Sequence, residues 1–292
     1  ISGSKNSSVA IIPAALLGEG TTVLENVPAI RDVQVFAQII RALGVDVSLE
    51  HNVMTISPNG FSTYVTDYDL VRKLRASYYL MGVLLAKFGR AEVGLPGGCD
   101  IGPRPIDQHL KGFRALGADV VVEGGVVRLS ADQLRGAPVY LDMPSVGATI
   151  NIMLAASMAE GTTTIENAAK EPHVVDLANF LNAMGASVHG AGTDVIRVNG
   201  TKELRGTEHS IIPDDMESAT YMMMAVATGG DIQINGVITK HLEPIVAKLK
   251  EADAHIEQNG DFIEVSGPER PKPVNVRTMP YPGFPTDAQQ PL

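Results

Sequence analysis

Residues 149–167 read TINIMLAASMAEG-TTTIEN, and this stretch decides the fold. Residues 149–161 are apolar almost all round, which suits a helix buried on every side. Gly161 stops that helix, and 162–167 reads as a short strand ended by Asn167. The same order recurs along the chain. SVAIIPAALLGEG (8–20), SYYLMGVLLAKFG (77–89) and TYMMMAVATGG (220–230) are further apolar segments ending at glycine. They are followed by TTVLEN, AEVGLPGG and DIQING, three more short strands that end at Asn or Gly.

A second helix follows each strand, and this one is amphipathic. Val33, Phe36, Ile40 and Leu43 step by three and four, as do Val174, Leu177, Leu181 and Met184. These helices end in RALGVDV, RALGADV, NAMGASV and KEADAHI, which puts Gly44, Gly117 and Gly185 just past the last turn. Asn26 to Gly44, Asn167 to Gly185 and Asn235 to Asp253 are all 18 apart. Hairpins such as VVVEGGVVRLS and HIEQNGDFIEV close each unit. The unit is helix, strand, helix, strand, strand, present four times with the start of a fifth. Such units bury their apolar helices together inside a layer of sheets.

Composition narrows the function. A net charge of −10 without a Lys/Arg run gives no electrostatic footprint for nucleic acid. No apolar run is long enough to span a membrane, and no signal-peptide pattern is present. A single cysteine allows no internal disulfide and suits a reducing cytoplasm. The chain opens on Ile1 within a strand-turn pattern, so residues are expected to precede it. The seven histidines form no ligand-like cluster. His51, His189, His209 and His255 read as solvated, His109 as the first turn of a surface helix, and the Met-rich helix at 221–224 as core. No metal and no cofactor are expected.

The repeat also points to a site. Lys5, Arg75, Ser145, Glu217 and Asp287 stand at the starts of the apolar helices, spaced 70, 70, 72 and 70. A helix start offers unpaired N–H groups and partial positive charge, so it favours anions. Capping explains Glu217 and part of Ser145. Lys5 and Arg75 suit a helix N-terminus poorly, which favours ligand binding. One copy carries the insertion LPGGCDIGPRPIDQH (95–109), with Cys99 among Gly97, Gly98 and Gly102 and close to Arg104. Glycines let such a loop move over a ligand, and nearby cations favour the thiolate.

Taken together, SGSKN around Lys5, Arg75-Ala-Ser, the Cys99 loop with Arg104-Pro-Ile-Asp107, Ser145-Val-Gly-Ala-Thr149 and Phe284-Pro-Thr-Asp287 resemble the enolpyruvyl transferases, specifically the UDP-N-acetylglucosamine 1-carboxyvinyltransferases. The resemblance runs in order along the whole chain. It implies an α/β fold of two inside-out α/β barrel domains of three units each. Residues 5–212 would form the domain carrying the Cys99 loop, and residues 1–4 with 213–292 part of the second.

The resemblance also implies transfer of enolpyruvyl from phosphoenolpyruvate to the 3′-hydroxyl of UDP-N-acetylglucosamine in peptidoglycan synthesis. In that reading Lys5 holds the phosphate of phosphoenolpyruvate, Asn6 bonds the sugar, and Arg75 completes the anion pocket. Cys99 is the general acid, open to alkylation by fosfomycin, and Asp287 is the candidate base. Arg104, Pro105, Ile106, Asp107 and Gln108 frame the uridine, and Ser145, Val146 and Gly147 the diphosphate. Met143 and Asp215 stand where many members carry Lys and Arg. Two alternatives fit the residues less well: a shikimate-pathway enolpyruvyl transferase, and a non-catalytic nucleotide-sugar-binding paralogue or fragment. The Cys99 loop and Asn6 argue against the first.

Overall fold

The computed structural model describes residues 1–95 and 105–292, and the chain divides into two compact units. The larger is Lys5–Ile211. Its first repeat is α1 (Lys5–Ala14), β1 (Thr22–Glu25), α2 (Arg31–Ala42), β2 (Asp46–Glu50) and β3 (Val53–Ser57). The second runs through a short α3 (Tyr68–Val71), a 3-10 turn (Arg75–Tyr79), α4 (Leu80–Phe88), β4 (Arg90–Gly94), α5 (Asp107–Ala115), β5 (Asp119–Glu123), β6 (Val126–Ser130) and β7 (Pro138–Tyr140). The third holds α6 (Val146–Ala156), β8 (Thr162–Glu166), α7 (Pro172–Ala183), β9 (Ser187–His189), β10 (Val195–Asn199) and β11 (Glu208–Ser210).

The apolar helices form the core. In α6 every residue from Gly147 to Ala156 is buried, and in α1 every residue from Ser7 to Ala14. The sheets stay separate and open around these helices, burying alternate residues, as in the buried Ile196 and Val198 of β10. The amphipathic positions behave as their spacing requires. Val33, Phe36, Ile40 and Leu43 of the first repeat, and Val174, Leu177, Leu181 and Met184 of the third, are all buried.

Each repeat makes an antiparallel set, and the first strand then takes a parallel neighbour from another repeat. β7 pairs with β8, and β11 returns to β1, so the third repeat completes the sheet of the first. Val65 bridges Glu92 of β4 in the same parallel sense. Asn26 and Asn167, which end β1 and β8, are left-handed, with φ of 54° and 57°. Their side chains donate to the carbonyls of Ile211 and Leu141 at 2.9 Å, which pins the returning strand. Gly44, Gly117 and Gly185 are left-handed as the helix ends require, with φ of 89°, 91° and 105°.

The smaller unit is Ile1–Ser4 with Ile212–Leu292. It holds α8 (Asp215–Thr228), β12 (Asp231–Asn235), α9 (Glu243–Glu251), β13 (His255–Asn259) and β14 (Phe262–Ser266), and ends with a 3-10 turn at Thr286–Ala288. Here one expectation is corrected. Met222 and Met223 are core, but Tyr221 and Met224 are 46% and 55% exposed, so α8 buries only one side. Its composition marks the faces that tolerate burial, not the faces that have a neighbour.

Candidate active site

In the larger unit, three element starts that carry motif residues meet around Tyr78. The 3-10 turn contributes Arg75, whose guanidinium carbon lies 6.0 Å from the centre of the Tyr78 ring. The start of α5 contributes His109, whose ring meets Tyr78 edge-on at 4.9 Å. The start of α6 contributes Gly147, where a Cβ would come within 2.9 Å of Tyr78 Oη. A side chain there would force the Tyr78 hydroxyl or the His109 ring to shift, so the start of α6 packs closely on both. Tyr79 is buried beside Tyr78, and that burial raises its phenol well above the usual value.

Ser145 is the N-cap of α6, its Oγ accepting the Ala148 N–H at 3.3 Å. The first-turn amides that follow, including those of Val146 and Gly147, have no acceptor within the helix and can serve an anion. Pro105 and Asp107 are exposed and Ile106 is half-buried where the chain enters α5. Gln108 is buried and uses its side chain internally. Its amide donates to Asp107 at 2.7 Å and Asp142 at 3.0 Å, and its carbonyl oxygen accepts the Asp142 N–H at 2.9 Å. Lys111, bonded to Asp142 at 2.6 Å, holds that carboxyl below its usual range, and Gln108 adds to the effect. Gln108 thereby ties the start of α5 to the loop leading into α6.

Lys5 and Asn6 open α1, which packs against the 3-10 turn that begins at Arg75. Lys5 is exposed and Asn6 half-buried. Cys99 and Arg104 lie outside the described residues.

Two histidine readings are corrected. His109 is only 5% exposed, not a surface residue, and burial pushes it down to about 4. His209 is also largely enclosed. Its Nε2 lies 2.9 Å from Asp176 Oδ1, and its ring meets Phe180 edge-on. Asp176 is buried and His173 is close by, pushed down to about 4 by loss of solvent. A spacing of four from the core residue Phe113 was the sequence signal for His109. For the Asp176–His209 pair, distant in sequence, no such signal existed.

In the smaller unit, the cap of α8 is Asp214 rather than Glu217; its Oδ1 accepts the Glu217 N–H at 2.9 Å. The Glu217 carboxylate instead receives the Ser2 N–H at 2.9 Å and the Ser2 hydroxyl. Asp287 is exposed on the terminal 3-10 turn, which is anchored by the buried Phe284 and Ala288. That turn packs on α8. Asp215 is raised to about 6, chiefly by burial, then by the charge of Asp214, with a further contribution from Asp287. Among the described residues, no group of three or more His, Cys, Asp or Glu is placed to hold a metal ion. No described helix is long and apolar enough to cross a membrane.

The family model for EPSP synthase (3-phosphoshikimate 1-carboxyvinyltransferase) matches residues 1–292. UDP-N-acetylglucosamine 1-carboxyvinyltransferase 3 of Caldanaerobacter subterraneus is 53% identical over 292 residues, covering 100% of this chain and 70% of that protein. The enzyme numbered 2 in Bacillus subtilis is 52% identical over 293 residues, covering 100% of this chain and 68% of that protein. Two solved structures share the fold. The enolpyruvyl transferase NikO from Streptomyces tendae has a TM-score of 0.88 at 23% identity, over 99% of this chain and 70% of that one. EPSP synthase from Acinetobacter baumannii has a TM-score of 0.74 at 24% identity, over 91% and 63%. A repeat legible along the whole chain, a fold shared with two enolpyruvyl transferases and an identity above one half with named carboxyvinyltransferases agree: the chain belongs to the EPSP synthase family and, within it, to the UDP-N-acetylglucosamine 1-carboxyvinyltransferases.

Proposed function

We propose that this protein transfers the enolpyruvyl group of phosphoenolpyruvate to the 3′-hydroxyl of UDP-N-acetylglucosamine and releases phosphate. The observation that carries the reading is the meeting of the Arg75 turn, the start of α5 and the start of α6 around Tyr78. In a chain of net charge −10, anionic substrates need such placed donors and cations. The start of α6, Ser145 to Gly147, seats the diphosphate, and Pro105 to Gln108 with Arg104 frame the uridine. Lys5 and Arg75 take the phosphate and carboxylate of phosphoenolpyruvate, and Asn6 bonds the sugar.

The reaction needs one proton removed from an alcohol and one delivered to a methylene carbon. Asp287, exposed on a short anchored turn, takes the hydroxyl proton as that oxygen bonds to carbon 2 of phosphoenolpyruvate. Cys99 delivers a proton to carbon 3. Loss of a proton from carbon 3 and cleavage of the bond from carbon 2 to the phosphate oxygen then give the enol ether and inorganic phosphate. The chemistry uses no cofactor, the product feeds peptidoglycan synthesis, and the enzyme acts in the cytoplasm.

The acceptor decides between this reading and its nearest rival. Phosphate release from phosphoenolpyruvate is measured with UDP-N-acetylglucosamine and, separately, with shikimate 3-phosphate. Release only with the nucleotide sugar is expected, and release only with shikimate 3-phosphate overturns the proposal.

A further inference from the structure

Asn151, buried in α6, settles which nitrogen of His109 carries the proton. Its Oδ1 accepts the Gly82 N–H at 3.0 Å, and its Nδ2 donates to the Tyr78 carbonyl at 3.0 Å. A backbone N–H only donates and a backbone carbonyl only accepts, so the orientation of this amide is determined. The same Nδ2 lies 2.9 Å from His109 Nδ1. Nδ1 faces a donor and must therefore be the unprotonated nitrogen, which leaves the proton of the neutral ring on Nε2. Burial keeps the ring neutral at physiological pH, as its lowered pKa of about 4 requires.

Nε2 lies beside a place where a donor has a use. A Cβ built on Gly147 would lie 3.0 Å from Nε2, so the nitrogen stands beside the first turn of α6. Among the described residues no group accepts from it. The ring is 5% exposed, held by Asn151 on one edge and by Tyr78 on its face, so its direction is set before any ligand arrives.

We propose that Asn151 locks His109 in the Nε2–H tautomer, making the imidazole an uncharged hydrogen-bond donor to an anionic oxygen of the ligand bound at the start of α6. The proposal rests on the reading of Ser145 to Gly147 as the diphosphate seat. An uncharged donor adds direction without a charge that would titrate near neutrality. It also gives Gly147 its reason, because any side chain there would displace both His109 and Tyr78.

UDP is the probe, with uridine as the ligand lacking the diphosphate, and binding is measured by calorimetry at pH 7.5. His109→Phe is expected to bind UDP roughly ten- to a hundredfold more weakly, with uridine binding unchanged. Asn151→Asp offers Nδ1 an acceptor, moves the proton there, and weakens UDP binding although His109 remains. Nitrogen NMR of the labelled ring in the unaltered protein reads the tautomer directly and does not depend on how the variants fold. An Nε2–H signal that shifts on adding UDP supports the proposal. An Nδ1–H ring, an Nε2–H signal indifferent to UDP, or unchanged UDP affinity in folded His109→Phe overturns it. Failure of the unaltered protein to bind UDP removes the diphosphate reading and this proposal with it. Binding that ignores His109 removes this proposal alone.

Discussion

His109 and Asp215 are displaced in opposite directions, and each predicts a pH dependence of stability. His109 falls from its ordinary value of 6.5 to about 4, so the unfolded chain takes up the proton first as pH drops. Its contribution is complete above about 6.5 and is lost as pH falls toward 4, by up to ~3 kcal/mol. Thermal melts between pH 7.5 and 4 should show this loss, and His109→Phe should flatten that part of the profile. Asp215 rises from 3.8 to about 6, so the folded state holds its proton more firmly. Its contribution is complete below about 4 and disappears as pH rises through 6. Asp215→Asn should therefore raise the melting temperature at pH 7.5, worth ~1–3 kcal/mol, and leave it nearly unchanged at pH 4. An equal effect at both pH values would remove burial as the cause. Residue identities could be read from the sequence here, but enclosure was signalled for His109 alone. His109 shares its helix face with Phe113, whereas the partner of Asp176 is a histidine more than thirty positions away.

The inner helices meet through glycine. A Cβ at Gly82 of α4 would lie 2.5 Å from the Asn151 carbonyl oxygen of α6, and one at Gly112 of α5 would lie 2.3 Å from Ile152 Cδ1. Alanine in a helix is ordinarily better than glycine by about 1 kcal/mol. At Gly82 the clash is with backbone, so Gly82→Ala should instead destabilise by ~1–3 kcal/mol, seen as a lower urea midpoint with little change in slope. A raised midpoint would mean that the helices separate freely. The long elements were legible because nine or more residues display either a 3.6 period or an unbroken apolar run, and several end at a left-handed glycine such as Gly44, Gly117 or Gly185. The returning strands Pro138–Tyr140 and Glu208–Ser210 were not, since three residues are too few to display alternation. Gly136 and Gly206 were the available clue, for a Cβ at either would meet the backbone of Thr162 or Thr21 within 2.5 Å.

For the larger unit as a whole, closure depends on β11 returning to β1. Asn26 holds that junction through the Ile211 carbonyl, and Asn167 holds the equivalent junction through Leu141. Asn26→Ala loses this bond and strains a left-handed residue, and should cost about 1–2 kcal/mol. Hydrogen exchange at the Ile211 amide, which donates to Glu25, should quicken more than exchange in the core of α6. Repeats and motifs were legible at this scale because their spacing survives in the sequence. The joining of first and third repeats leaves no periodic trace between distant segments, and only the family resemblance implied it. Enolpyruvyl transfer to a nucleotide sugar is tested by identifying the product. The protein is incubated with carbon-13-labelled phosphoenolpyruvate and UDP-N-acetylglucosamine, and the nucleotide fraction is examined by mass spectrometry. A labelled carboxyvinyl ether of the nucleotide sugar is expected, formed far more slowly by Asp287→Ala although that variant still binds UDP-N-acetylglucosamine. Unlabelled nucleotide sugar after prolonged incubation with both substrates bound would contradict it.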